Sequence, residues 1–311
     1  MVEYYKTEGG RVTATPAICE GCWVNMVRPS SEELRGVTQA LHVEEDFIRA
    51  ALDPEESSRV EIEEDQILMI VDTPMVEDDT NSGSQIFATV PMGILVVPGA
   101  VITVCLEDTI VLRSIAEGNV KDVHTALRTR FVFQILLRVA GRFLKDLRLI
   151  ERDFTRIERR LYDSLKNEEL IQLLGLSKSL VYFSASLKGN EVTMEKVLSG
   201  RILKLYEDDR DLLEDALIEI RQAIEMAGIY SNILSGTMDA YASVVSNNLN
   251  IIMKVLTVLT IIMTIPNIVF GFYGMNIQNG LPFDFLWFMP TLIAVFACGG
   301  AWYLLKKKNL L

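Results

Sequence analysis

Counting alternately four and three residues from Asp239 gives Ser243, Ser246, Asn250, Met253, Thr257, Thr260, Thr264, Asn267 and Gly271. From Val255 to Gly271 every polar side chain, namely Thr257, Thr260, Thr264 and Asn267, falls on that one line. A repeat of about 3.5 residues is the seam along which helices wind about a common axis. Such seams are ordinarily apolar. This one carries hydroxyl and carboxamide groups, which are unfavourable against lipid and must face protein or water. The same residues could instead hold one membrane helix to another. Because the line continues through Asn250 to Asp239, beyond the apolar run, where no such adhesion is needed, a pore is favoured.

Other stretches offer less. "GFYGMN" at 271–276 ends the apolar run, and two glycines beside an asparagine also read as an ordinary helix end. "YEDDRDLLED" at 206–215 is an acidic helix start, suited to a cation or simply to solvent. Cys19 and Cys22 form a C-x-x-C with no second pair, and the only histidines are His42 and His124, so two reduced cysteines at the start of a strand are expected. No nucleophile and base, phosphate loop or metal-ligand set suggests an enzyme.

The elements that must position the stripe follow from composition. Ile251 to Met275 carries one charge, Lys254, and Phe285 to Leu305 carries none, so each is long enough to span a bilayer core of about 30 Å. Two transmembrane helices joined by Asn276–Asp284 are therefore expected. Pro266, in mid-span, removes one backbone hydrogen bond and frees the carbonyl of Ile262. In the second span, aromatic residues at both ends and the absence of a polar stripe predict a helix outside the first, against lipid. Two helices cannot enclose a channel, so the reading requires several copies.

Before the spans, an α+β region is expected: a strand Trp23–Arg28, a helix capped by Ser30 or Ser31 and running to Leu41, a short helix Val43–Leu52, and strands at Arg59–Glu63, Ile67–Asp72, Gln85–Val97 and Val101–Leu106. Long helices then cover Val120–Leu165, Glu168 to about Leu198, and Tyr206 to the end of the first span. The first two should form an antiparallel pair against something else, and the third, too long for one small domain, should pack against copies of itself. The segments are 1–118, 119–250, 251–275, 276–284, 285–305 and 306–311.

Lys306, Lys307 and Lys308 after the second span and Lys254 at the start of the first place both termini in the cytoplasm by the positive-inside rule. No leader precedes Glu3, which fits that orientation. The formal charge of −12, from 42 acidic and 30 basic residues, argues against nucleic acid as a partner and allows cations.

Three stretches carry a resemblance: "LSGTMDAYASVVSNNLNIIMKVLT" at 234–257, "IPNIVFGFYGMN" at 265–276 and the tail "WYLLKKKNLL". Together with "SLVYFSASLKGNE" at 179–191 they resemble the CorA family of divalent-cation channels over most of the chain, most weakly in residues 1–60. The resemblance implies a funnel-shaped homopentamer in the plasma membrane of a prokaryote, moving magnesium, often with cobalt or nickel, down its electrochemical gradient. It implies a selectivity filter of Gly274, Met275 and Asn276, where carboxamides accept hydrogen bonds from a hydrated ion. Gly271 and Gly274 would there permit a close approach and an unusual turn. It matches Asp239, Asn250, Thr264, Asn267 and Gly271 to pore-facing positions, and Met253 and Leu256 to an apolar constriction. Regulatory magnesium is implied at acids between subunits, Asp215 by ungapped alignment and Asp211 one turn away, holding the ring closed.

Two departures stand out. Thr264 stands where better-known members carry a bulkier apolar residue, so that closure would depend more on Leu256 and Met253, or the gate would leak more. The outer loop "IQNGLPFDF" has one acid, Asp284, so capture of cations by loop acids is in doubt. The main rival is a zinc transporter of the related ZntB-like branch. A two-span membrane-anchored sensor without a pore is another; it predicts that the stripe can become Leu or Val without loss of function.

Overall fold

The computed structural model describes residues 1–78, 85–163, 167–200, 202–203, 206–274 and 288–308. The chain divides into two compact units, Met1–Ser235 and Gly236–Leu311.

The first unit is built on a seven-stranded sheet, with strands β1 (Val2–Glu8), β2 (Arg11–Thr15), β3 (Cys22–Val27), β4 (Arg59–Glu63), β5 (Gln66–Asp78), β6 (Gln85–Val97) and β7 (Ala100–Cys105). Their order is β2-β1-β3-β7-β6-β5-β4. Only β3 and β7 pair in parallel. β1 and β2, absent from the sequence reading, form a hairpin in which Glu8 faces Arg11 across Gly9 and Gly10. Both glycines have positive φ, the conformation that a two-residue hairpin turn requires.

One sheet face is covered by α1 (Ser31–Leu41) and α2 (Glu45–Ala50). Ser30 caps α1: its hydroxyl accepts from the Glu33 amide while the Glu33 carboxylate accepts from the Ser30 amide. Leu34, Val37, Phe47 and Ile48 then close over Val24, Met26, Ile70 and Ile102. The α2 end comes so near that a Cβ on Gly93 would lie 2.4 Å from that of Ala51.

The opposite face carries α4 (Arg128–Asp163) and α5 (Asn167–Leu198), which pack on each other and on β5 and β6. Trp23 stacks on Tyr5, meets Phe131 edge-on, and donates its indole N–H to Thr103 at 2.8 Å. Phe143 of α4 meets Phe183 of α5 at 5.1 Å. The sheet is thus what the helical pair was expected to lie against. α4 begins at Arg128 instead of Val120 because the preceding segment is held elsewhere: Thr125 is buried and exchanges hydrogen bonds with Thr7. A short helix α3 (Ile110–Ala116), capped by Thr109, was also not anticipated.

By length and composition three described helices could cross a membrane, α5, α6 (Glu207–Tyr273) and α7 (Met289–Lys307). α5 is held to the sheet by polar side chains. Asn190, fully buried, accepts from the Asp72 amide and donates to the Asp72 carbonyl, both at 2.8 Å. Ser186 donates to Thr89 and Ser179 accepts from the Phe87 amide.

α6 is continuous over 67 residues, through Gly228, Gly236 and Pro266. Up to Leu234 it buries Leu213, Ala216, Leu217, Ile220, Ala223, Ala227 and Leu234. Beyond that point Val258 is its only buried residue among those described. In the second unit α6 and α7 expose Ile252, Val255, Met263, Ile268, Val295 and Phe296, a surface suited to hydrocarbon or another helix.

Candidate functional site

Every stripe position, Asp239, Ser243, Ser246, Asn250, Met253, Thr257, Thr260, Thr264, Asn267 and Gly271, lies on α6 and is exposed. The covered face of α6 holds Val258, Ile262, Ile265 and Val269, which are buried or half-buried. On α7 the buried and half-buried positions are Met289, Pro290, Ala294, Cys298, Ala301 and Leu305. The Cys298 thiol donates to the Ile262 carbonyl at 3.6 Å. At about 100° per residue, the polar line is centred about 160° round the helix from the covered face. One chain therefore supplies α7 behind α6 and leaves the polar line bare.

The hydroxyls on this line are satisfied within the helix. Thr257 donates to Met253, Thr260 to Leu256 and Thr264 to Thr260, at 2.7, 2.8 and 2.7 Å, and Ser243 donates to Asp239 at 3.0 Å. Each proton is thus directed inward, leaving the oxygen lone pairs as outward acceptors. Asn250 and Asn267 differ: their carboxamides make no hydrogen bond among the described residues. A bare carboxamide within an apolar span requires water or a polar partner.

Met253, on the line, and Leu256, beside it, are 57% and 54% exposed where an apolar constriction is expected. Pro266 frees the Ile262 carbonyl, and this is the atom the Cys298 thiol reaches. Gly271 lies inside the helix and, like Gly274, lacks positive φ. The Gly274 amide donates to the Phe270 carbonyl at 2.9 Å, which continues the helical ladder by one residue. A Cβ on Gly274 would lie 3.1 Å from that carbonyl oxygen. Met275, Asn276 and Asp284 lie outside the described residues.

The acids Asp211 and Asp215 are exposed, one turn apart on α6. Their neighbours are engaged: Asp209 pairs with Arg130 at 3.6 Å and Glu214 accepts from Arg210 at 2.8 Å. Among the described residues no three His, Cys, Asp or Glu side chains converge to hold a metal ion. The count that defines the stripe also extends backward, through Gly236, Asn232, Ile229, Glu225, Gln222 and Ile218 to Asp215 and Asp211, all exposed. The sequence reading treated these acids separately from the stripe, yet the spacing alone joins them. Cys22 is buried at the start of β3, and its sulfur accepts from the Cys19 amide at 3.5 Å.

An α+β unit, a very long helix with an apolar C-terminal end, and a second apolar helix define a membrane protein of the long-helix class. The chain belongs to the family described as CorA-like Mg2+ transporter protein, which matches residues 20–307. It is 27% identical over 263 residues to the cobalt/magnesium transport protein CorA of Methanocaldococcus jannaschii, covering 82% of this chain and 79% of that protein. Its fold matches the complete CorA structure from the same organism with a TM-score of 0.86 at 22% identity, over 100% of this chain and 99% of that one. The cytoplasmic domain of ZntB from Vibrio parahaemolyticus shares the fold at a TM-score of 0.62 and 15% identity, over 79% of this chain and 98% of that one.

Proposed function

We propose that this chain forms a passive channel for divalent cations, with magnesium the principal ion and cobalt or nickel also carried. The observation that carries this reading is the bare polar line on α6, opposite the face covered by α7 and containing Asn267, which has no hydrogen-bond partner among the described residues. A ring of such chains faces these lines inward, so that water satisfies the carboxamides and α7 meets lipid. Family membership and a relative named as a cobalt/magnesium transport protein support the choice of ion.

In this reading the assembly is a homopentamer in a prokaryotic plasma membrane, with both termini cytoplasmic. Thr257, Thr260 and Thr264 present acceptor oxygens to the first water shell of the ion. That arrangement suits magnesium, which releases its water reluctantly. Asn276 with Gly274 and Met275 forms the filter, and Met253 with Leu256 closes the path by dewetting. Asp211 and Asp215 bind regulatory magnesium together with acids of a neighbouring subunit. The ion offsets repulsion between carboxylates and holds the closed ring until cytoplasmic magnesium falls.

The test is uptake into liposomes loaded with a magnesium-sensitive dye, using the full chain, Asn276→Ala and Asn267→Leu. Influx that is lost in both variants and suppressed by magnesium on the cytoplasmic face supports the reading. Influx of zinc without magnesium would transfer the protein to the zinc-transporting branch. Absence of both fluxes in intact oligomers would favour a membrane-anchored sensor.

A further inference from the structure

A cavity lies within the first unit, bounded by α3, α4 and α6, with a volume of ≈ 490 Å³. Arg138, Arg142 and Lys145 line it at intervals of four and three residues, which sets three cations along one face of α4. Their Cα atoms rise by about 6 Å and then about 4.5 Å along the helix axis. Arg138 and Lys145 make no ion pair among the described residues. Arg142 donates its Nε to Asp146 at 2.8 Å and keeps its terminal nitrogens for another partner.

Glu219 faces these cations. Its Oε2 is buried without a hydrogen-bond partner among the described residues and occupies the space that a side chain at position 141 would fill, since a Cβ on Gly141 would lie 3.1 Å from it. Burial and the nearby Asp215 raise the Glu219 pKa. A chain of net charge −12 thus gathers three cations around one cavity and leaves two of them unpaired, beside a single acceptor that lacks a donor.

We propose that this cavity binds a nucleoside polyphosphate, with linked phosphates along Arg138, Arg142 and Lys145 and a sugar hydroxyl or base amino group donating to Glu219. Cations strung along a helix match a chain of phosphates better than one phosphate, and guanidinium groups grip phosphate oxygens in pairs. The volume falls within the range of small-molecule sites. The site does not depend on the transport reading, and its test measures binding alone.

The experiment is isothermal titration of the full chain in detergent, free of divalent ions, with adenosine triphosphate, inorganic tripolyphosphate and orthophosphate as probes. The expected affinity order is nucleotide, then tripolyphosphate, then orthophosphate. Arg138→Ala and Lys145→Ala are each expected to weaken nucleotide binding about tenfold, with Arg138→Lys retaining part of it. Glu219→Leu should weaken the nucleotide and spare tripolyphosphate. Circular dichroism verifies the fold of each variant. No binding by the native chain, orthophosphate as tight as tripolyphosphate, or an equal loss from the remote Arg152→Ala would overturn the proposal.

Discussion

The two units solve the same problem with different means. In Met1–Ser235 the chain buries its own apolar surface: Trp23, Phe131, Phe143 and Phe183 are fully enclosed, and even polar Asn190 is satisfied internally. In Gly236–Leu311 Val258 and Ala294 are the only buried apolar residues among those described. Similar residue types therefore stabilise by different routes, one by self-burial and the other by a bilayer and, in the proposed ring, by neighbouring chains. A substitution should consequently be read through stability in the first unit and through assembly or flux in the second.

The largest expected effect on stability is at the centre of the first unit. Trp23→Ala removes a stack, an edge contact and the bond to Thr103, and should cost about 3–5 kcal/mol in chemical denaturation of the full chain. A smaller loss would mean that this core is less sealed than its burial indicates. Next comes pH. Burial pushes the Asp146 carboxyl up to about 6, against the lowering effect of Arg142. An unfolded Asp titrates near about 3.9. Between these values the folded state binds more protons, so stability falls as pH rises, by up to about 3 kcal/mol, and the penalty is complete above the folded pKa. Asp146→Asn should flatten denaturation midpoints measured across this window, whereas an unchanged slope would assign the dependence to other groups.

Ser30→Ala, which breaks the reciprocal cap of α1, should cost about 1 kcal/mol by the same denaturation assay. The smallest change in stability is expected at Thr260→Val. Its hydroxyl bonds only to its own helix, so the effect should stay within about 0.5 kcal/mol. Magnesium flux should nevertheless fall, because the acceptor facing the proposed pore is gone. A variant that loses stability while keeping flux would reverse the contrast between the units.

Much of this organisation was legible where local chemistry and tertiary context agree. The Ser30 cap, strands β4 and β6, and the limits of α5 and α6 were read closely because turn residues or a helical repeat mark them. The β1–β2 hairpin was missed although Gly9–Gly10 is a hairpin signal, since its strands are short and mixed in polarity. The late start of α4 was not legible, because Thr7, more than a hundred residues away in sequence, holds Thr125. At the candidate site the polar line was plain from spacing alone. That its threonine protons turn inward while Asn267 stays bare required coordinates. The basic cavity was invisible in sequence because three cations on a charged helix become significant only when Glu219 of another helix faces them.

Pro266 gives the membrane unit a registration mark. By withholding one amide, it leaves a carbonyl on α6 with its acceptor capacity turned outward, and the thiol of Cys298 meets it from α7. A uniform apolar helix could slide along another with little change in contact area. This pair cannot slide without abandoning an acceptor in hydrocarbon, so a residue that breaks one helix indexes the position of the next.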